Sequence, residues 1–271
     1  MATYDRLAGH YDAVTGDSAA EIMFIDRLIQ QANPEAATLL EVACGTGGVM
    51  APLAGSYQVS GLDVSPGMLA VARKKLPAGT PLYEADMSCF KLDAQFDAII
   101  CIYHSINHLL GFAAWQSFFD CVCSHLNQGG VFIFDINTLR GLKLMASMDR
   151  EVQQFGDNYL IIRVRTSDQV VFNWNIDLYE LQHNGRYRLV TQVIRTASFP
   201  VAQIRAALRE RFAEVRTIGG EGSAGIEDGV TADSVTEGGI TEGGVTEGGV
   251  IGDGADRAWF VCTKAASAVR P

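Results

Sequence analysis

This 271-residue chain lacks any apolar run long enough to cross a membrane; its longest, such as 98–103 and 131–134, fall well short of the roughly 20 residues needed. The opening Met1-Ala-Thr-Tyr-Asp5 lacks a basic stretch followed by an apolar one, so no secretion signal is expected and a cytoplasmic location follows. Six cysteines (44, 89, 101, 121, 123 and 262) form no CxxC pair, and no His/Cys spacing suits zinc. Reduced core thiols and no metal are therefore expected. Basic residues are missing from one long segment. Between Gly219 and Asp256 stand nine acids (Glu221, Glu227, Asp228, Asp233, Glu237, Glu242, Glu247, Asp253 and Asp256) and no base, so most of the net charge of -10 belongs to that segment. The remainder is close to neutral, and neither part shows the basic face that a phosphate backbone requires, which argues against a nucleic-acid partner.

What is present suits a globular α/β protein: 48% of residues are apolar and 19% charged. Ser18 and Glu21 read as a capping box for a helix carrying Ile22, Ile25, Leu28 and Ile29, ended by Asn33-Pro34. Short apolar strands then alternate with amphipathic helices, the pattern of a parallel sheet. The strands are read at 38–42, 58–62, 81–84, 96–102 and 130–136, with a helix through Trp115, Phe118, Phe119, Val122 and Leu126. After Arg150 three β segments follow without helices, at 158–165, 170–181 and 186–199, the last two joined at His183-Asn184-Gly185, a strong hairpin signal. They form an antiparallel meander inserted in the α/β domain. Two roles stay open for it: a platform for packing or a homodimer, and a lid over the ligand face. A helix at 200–211 and strands at 213–218 and 258–263 complete the chain. The expected division is a lid and helix over 1–34, a core over 35–150, the β insertion over 151–199 and a completion of the core over 200–271. Within the last part, the acidic segment 219–256 carries the tandem repeat Thr236-Glu-Gly-Gly-Ile240, Thr241-Glu-Gly-Gly-Val245, Thr246-Glu-Gly-Gly-Val250, read as an expanded hairpin loop without chemistry.

Three strand tips carry ligand-suited residues in order. Leu39-Leu-Glu-Val-Ala-Cys-Gly-Thr-Gly-Gly48 runs a strand into a glycine turn, where Gly45 and Gly47 allow tight turning and close approach, and Glu41 can accept from an ammonium group. Gly61-Leu-Asp63-Val-Ser65-Pro-Gly-Met68 places a carboxylate where it can receive both hydroxyls of a ribose. Glu84-Ala-Asp86-Met87 offers an acceptor for an adenine amino group and a polarizable face for the ring.

Glu-Val-Ala-Cys-Gly-Thr-Gly resembles motif I of the class I S-adenosylmethionine (SAM)-dependent methyltransferases, followed by their acidic second tip and their Asp-Met after the third strand. Phe96-Asp-Ala-Ile-Ile-Cys-Ile-Tyr103 is similar to their motif IV, and Leu126-Asn-Gln-Gly-Gly130 to their approach to strand 5. The opening Tyr4-Asp-x-Leu-Ala-x-x-Tyr11-Asp12 resembles the lid of small-molecule members, sugar N-methyltransferases among them. The helix-strand-strand ending agrees. The resemblance implies a Rossmann-like seven-stranded methyltransferase sheet with its last strand antiparallel, and SAM as cofactor. It implies that Glu41, Gly45 and Gly47 face the methionine part, Asp63 the ribose and Asp86 with Met87 the adenine, with Tyr11 closing over the methionine end and Met68 and Tyr103 as further cofactor-binding residues. Met50 stands where a GxGxxG turn has its third glycine, which counts against NAD.

Methyl transfer from a sulfonium requires alignment and exclusion of water, and a base only when the nucleophile is protonated. The candidates follow the fourth strand: Tyr103, His104, Ser105, Asn107 and His108, with His104 the preferred base and His108 read as packing. Asp135 and Asn137 either reach substrate or cap the following turn, and Trp174, Tyr179 and Tyr187 on the meander are further candidates for lining an acceptor pocket. The Asn/Asp-Pro-Pro-Tyr/Phe run of enzymes that methylate nucleic-acid amines is missing. The expected activity is transfer of a methyl group to N or O of a small molecule. The alternatives are a protein or RNA methyltransferase, and a SAM-binding module without catalysis.

Overall fold

A computed structural model describes residues 4–5, 7–16, 18–219 and 255–266; nearly all of the acidic segment, with its Thr-Glu-Gly-Gly repeat, lies outside the described residues. A short helix α1 (Tyr11–Thr15) precedes α2 (Ala19–Ala32). The chain then alternates β1 (Thr38–Val42), α3 (Met50–Leu53), β2 (Gln58–Asp63), α4 (Pro66–Lys75), β3 (Leu82–Glu84), β4 (Phe96–Cys101), α5 (Phe112–His125) and β5 (Leu126–Asn137). Next, α6 (Leu139–Ser147) leads to β6 (Glu151–Phe155), β7 (Asn158–Arg165), β8 (Val171–Leu181) and β9 (Tyr187–Ala197). The chain returns through α7 (Val201–Arg209), β10 (Glu214–Ile218) and β11 (Arg257–Thr263).

The main sheet has seven strands in the order β10-β11-β5-β4-β1-β2-β3. The first five strands in sequence pair in parallel, while β11 lies antiparallel between β5 and β10. This is the expected fold. Because side chains alternate along each strand, Leu40 and Val42 enter one core with Trp115, Phe118 and Phe119 of α5 and Ile204 and Leu208 of α7. Leu39 enters the other with Ile25 and Ile29 of α2 and Leu69 of α4. Phe132, Phe134 and Phe260 stack at 4.8 and 4.7 Å across β5 and β11. Each such buried ring contributes about 2–3 kcal/mol.

The insertion has four strands, not three, in the order β6-β7-β8-β9. The extra strand β6 pairs antiparallel with β7 across a Gly156-Asp157 turn in which Gly156 takes φ 57°. Gly185 takes φ 75° in the β8–β9 hairpin, as its Asn-Gly signal requires. The expected capping box is not formed. Ser18 makes no side-chain cap, and Glu21 instead pairs with Arg257 at the far end of the chain. A half-buried guanidinium competes better for the carboxylate than a helix amide open to water.

Candidate functional site

The carboxyl ends of β1, β2 and β4 meet the N-terminal segment and the inner face of the insertion. At the end of β1 the backbone turns sharply: Ala43, Gly45 and Gly47 take φ values of 58°, 52° and 73°. A Cβ on Gly45 would meet nothing within 4 Å, so open space lies over that glycine. Glu41 is 3% exposed, and its Oε2 is buried without a hydrogen-bond partner. Burial, reinforced by the charge of Asp63, raises its pKa well above the ordinary range. Asp63, also buried, accepts from the amides of Gly45 and Ser65 at 2.8 Å each, and burial raises its pKa. An unpartnered carboxylate oxygen beside an open glycine face fits a ligand that brings an ammonium group. Asp63 beside it suits vicinal hydroxyls.

At the third tip, Asp86 is exposed and accepts from the Ser88 amide and hydroxyl, which fixes the turn. Met87 is half-buried against the α5 core. Val64, next to Asp63, is 56% exposed, an apolar surface at a strand tip that the sequence reading did not single out. Met68 is different: it is buried in the first turn of α4, its amide bound to Ser65 Oγ, and presents almost no free surface.

The N-terminal segment closes over these tips. Thr46 Oγ1 donates to Asp12 Oδ1 at 2.6 Å, Lys75 pairs with the same carboxylate at 2.5 Å, and Ser65 Oγ and the Gly67 amide donate to Asp5. These ties bring Tyr4, Leu7, His10, Tyr11 and Val14 to one side of a cavity of about 200 Å³. Leu160, Ile162, Trp174, Ile176, Leu178 and Ile194 form its opposite, apolar wall. Period-2 alternation explains why Trp174 faces the cavity while Tyr179 lies on the other face of β8 and Tyr187 is exposed.

Tyr103, His104 and His108 line the floor together with Asn137. Tyr103 and His104 take φ 56° and 57°, two successive left-handed residues without glycine, a strained arrangement that surrounding contacts must hold. His104 Nε2 lies 3.1 Å from Asp135 Oδ2, close but off the angle for a hydrogen bond, while the His104 amide donates to Asp135 Oδ1 at 3.3 Å. Burial lowers the His104 pKa to about 4 against the opposing pull of Asp135, so the ring is neutral at pH 7. Burial also raises the phenols of Tyr103 and Tyr11, the latter to about 12, so both keep their protons.

His108, expected to be packing, is part of the cavity, with Nε2 3.1 Å from the Tyr4 hydroxyl. Ser105 and Asn107 are structural. Ser105 Oγ donates to the Ile102 carbonyl, and the buried Asn107 amide donates to the Asn137 and Ala197 carbonyls and accepts from the Asn137 amide. Tyr4 carried a signal only in the lid motif, where His10 stands at an unspecified position. Arg257 carried none beyond being the first base after a long acidic segment. Among the described residues no cluster of His, Cys, Asp or Glu could hold a metal ion, and no helix is long and apolar enough to cross a membrane.

Residues 39–130 match the family model described as "Methyltransferase domain". The chain is 38% identical over 109 residues to a dTDP-3-amino-3,6-dideoxy-alpha-D-glucopyranose N,N-dimethyltransferase of Streptomyces fradiae, covering 40% of this chain and 42% of that protein. It is 38% identical over 125 residues to the dTDP-3-amino-3,4,6-trideoxy-alpha-D-glucopyranose N,N-dimethyltransferase of Streptomyces venezuelae, covering 44% and 50%. The match thus spans half or less of the length of these curated relatives. Among solved structures, the sugar N-methyltransferase KedS8 from Streptoalloteichus sp ATCC 53650 superposes with a TM-score of 0.72 at 26% identity, covering 94% of this chain and 91% of that one. The strand order, the glycine turn with its acidic tips and these likenesses agree: residues 39–130 match a methyltransferase domain, in a chain with the Rossmann-like methyltransferase fold.

Proposed function

We propose that this protein is a SAM-dependent methyltransferase that acts on the nitrogen of a small amine. The observation that carries the reading is the meeting of two sites: the cavity reaches the Glu41–Gly45–Asp63 cleft at Tyr11 and Tyr4. Glu41 would hold the ammonium of SAM, Asp63 its ribose, and Val64, Asp86 and Met87 its adenine, with the open face of Gly45 admitting the methionine part and Gly47 packing the turn against Ala72. Bound there, SAM supplies a methyl group made electrophilic by positive sulfur.

The protein's own residues have three tasks. The apolar wall and the lid exclude water. Tyr11 and Tyr103, fixed as neutral phenols, do not act as bases, and the Tyr103 hydroxyl is engaged by Ser18 and Glu21. His104, neutral and held between Asp135 and the Tyr103 backbone, would meet the acceptor from the cavity floor and align its lone pair. A histidine with a pKa near 4 is too weak a base to activate an alcohol, whereas a free amine needs no base before it attacks. That difference selects N over O. The printed activities of the relatives, N,N-dimethylation of amino sugars, support an amine on a sugar-like ring. A cavity of about 200 Å³ roofed by the lid also suits a small molecule better than a protein or RNA.

His104→Ala is expected to lower kcat at least about 10-fold with SAM affinity nearly unchanged; loss of SAM binding in that variant would show that His104 belongs to the cofactor site instead. We place the protein in the cytoplasm, which its six unpaired cysteines support, and give it a homodimer through the outer face of the insertion, where Tyr187, Leu189 and Val193 are exposed.

A further inference from the structure

The strained Tyr103–His104 step is held from both sides by one side chain. Arg257 opens β11, opposite Asn137 at the end of β5. Its Nε donates to Asp135 Oδ2 at 2.8 Å, and Asp135, fully buried, accepts the His104 amide and lies against the His104 ring. Its second arm pairs with Glu21 of α2, and Glu21 and Ser18 hydrogen-bond the Tyr103 hydroxyl. The guanidinium lies 4.6 Å over the Trp259 ring, which limits its movement. A planar fork that joins two carboxylates, each serving one residue of a left-handed pair, is geometry that only arginine provides.

We propose that Arg257 is the positioning residue of this site: it bridges Asp135 and Glu21 and thereby sets His104 and Tyr103 in the orientation that methyl transfer needs. The reaction part of this inference rests on the proposed function; the clamp itself does not. Arg257 touches neither cofactor nor acceptor and acts through its two carboxylates. Left-handed φ at two successive side-chain-bearing residues persists only where neighbours over-determine it, and here the neighbours on both sides end at the same guanidinium.

The groups facing the His104 ring are Asp135 from β5, Arg257 from β11 and His108 from the turn between β4 and α5. Asp135 favours the imidazolium, while Arg257 and His108 oppose it. Removing the guanidinium takes away an opposing charge and leaves Asp135 without its main partner. Both changes favour protonation of His104.

The test is a histidine NMR titration of the full chain, with the His104 signal assigned through His104→Gln. In the unaltered protein His104 is expected to titrate below pH 5, and in Arg257→Met at least one pH unit higher. Arg257→Lys, which keeps charge but not the fork, should fall between, and it supplies the reading if the Met variant does not fold. With SAM and an amine acceptor, kcat should fall at least 10-fold in both variants, while SAM affinity changes less than threefold. A His104 titration that does not move in a folded variant overturns the proposal. So does a loss of SAM affinity with kcat unchanged. If the unaltered protein binds no SAM, methyl transfer falls as a reading while the titration still decides the clamp.

Discussion

Glu41 stands at the end of β1 with one carboxylate oxygen buried and unpartnered, and that oxygen leads to a proton-coupled prediction. Burial raises its folded pKa above the unfolded value, so over the interval between them the folded chain holds a proton that the unfolded chain has lost. This group's contribution to stability is therefore full at acid pH and declines as pH rises through the folded pKa. An ammonium partner reverses the preference and expels the proton. Titration of the protein with SAM in buffers of different ionisation enthalpy should show proton release in the pH range where Glu41 titrates. Glu41→Gln should abolish the release and weaken binding by about 10- to 100-fold, the cost of one charge-assisted hydrogen bond in a buried site. Unchanged proton release in the Gln variant would place the titrating group elsewhere.

Whole elements were more legible than their ends. β1, β2, β4 and α5 announced themselves by apolar periodicity, because each is buried on a sheet or helix face. β6 and α6 gave no such reading. β6, Glu151-Val-Gln-Gln-Phe155, carries only two apolar residues, and Val152 points outward at 56% exposure. α6 has Leu139, Leu142 and Met145 at helical spacing, and Thr138 Oγ1 caps it by accepting from the Gly141 amide, but a glycine in its first turn disguises it. That glycine is required. A Cβ on Gly141 would collide with the Asp256 carbonyl, which is bound to the Thr138 amide. Gly141→Ala, ordinarily favourable in a helix, should destabilise the protein by about 1–3 kcal/mol in urea unfolding. A neutral or stabilising result would mean that the α6–β11 approach is looser than described.

At the scale of the whole molecule, the cofactor cleft was legible because motif residues lie within one strand–turn–helix unit. The cavity beside it was less so, since it joins Tyr4 to His108 and rests on a clamp that joins Glu21 to Arg257, contacts that no local pattern encodes. The insertion shows the same division: of the three aromatics read as candidates on it, Trp174 faces the cavity, whereas Tyr179 and Tyr187 point away from it. Its outer face carries exposed Tyr187, Leu189 and Val193 with Tyr159 beside them, a patch that association would cover. Sedimentation should show a dimer at micromolar concentration and a monomer for Val193→Glu; a monomer in both would leave that face without a partner.

The central claim is that the three acidic tips and the glycine turn bind SAM and not a nicotinamide dinucleotide. Calorimetric titration of the full chain with SAM and, separately, with NADH tests it most directly. Micromolar binding of SAM with no heat from NADH is the predicted result. Binding of NADH, or of neither, would contradict it.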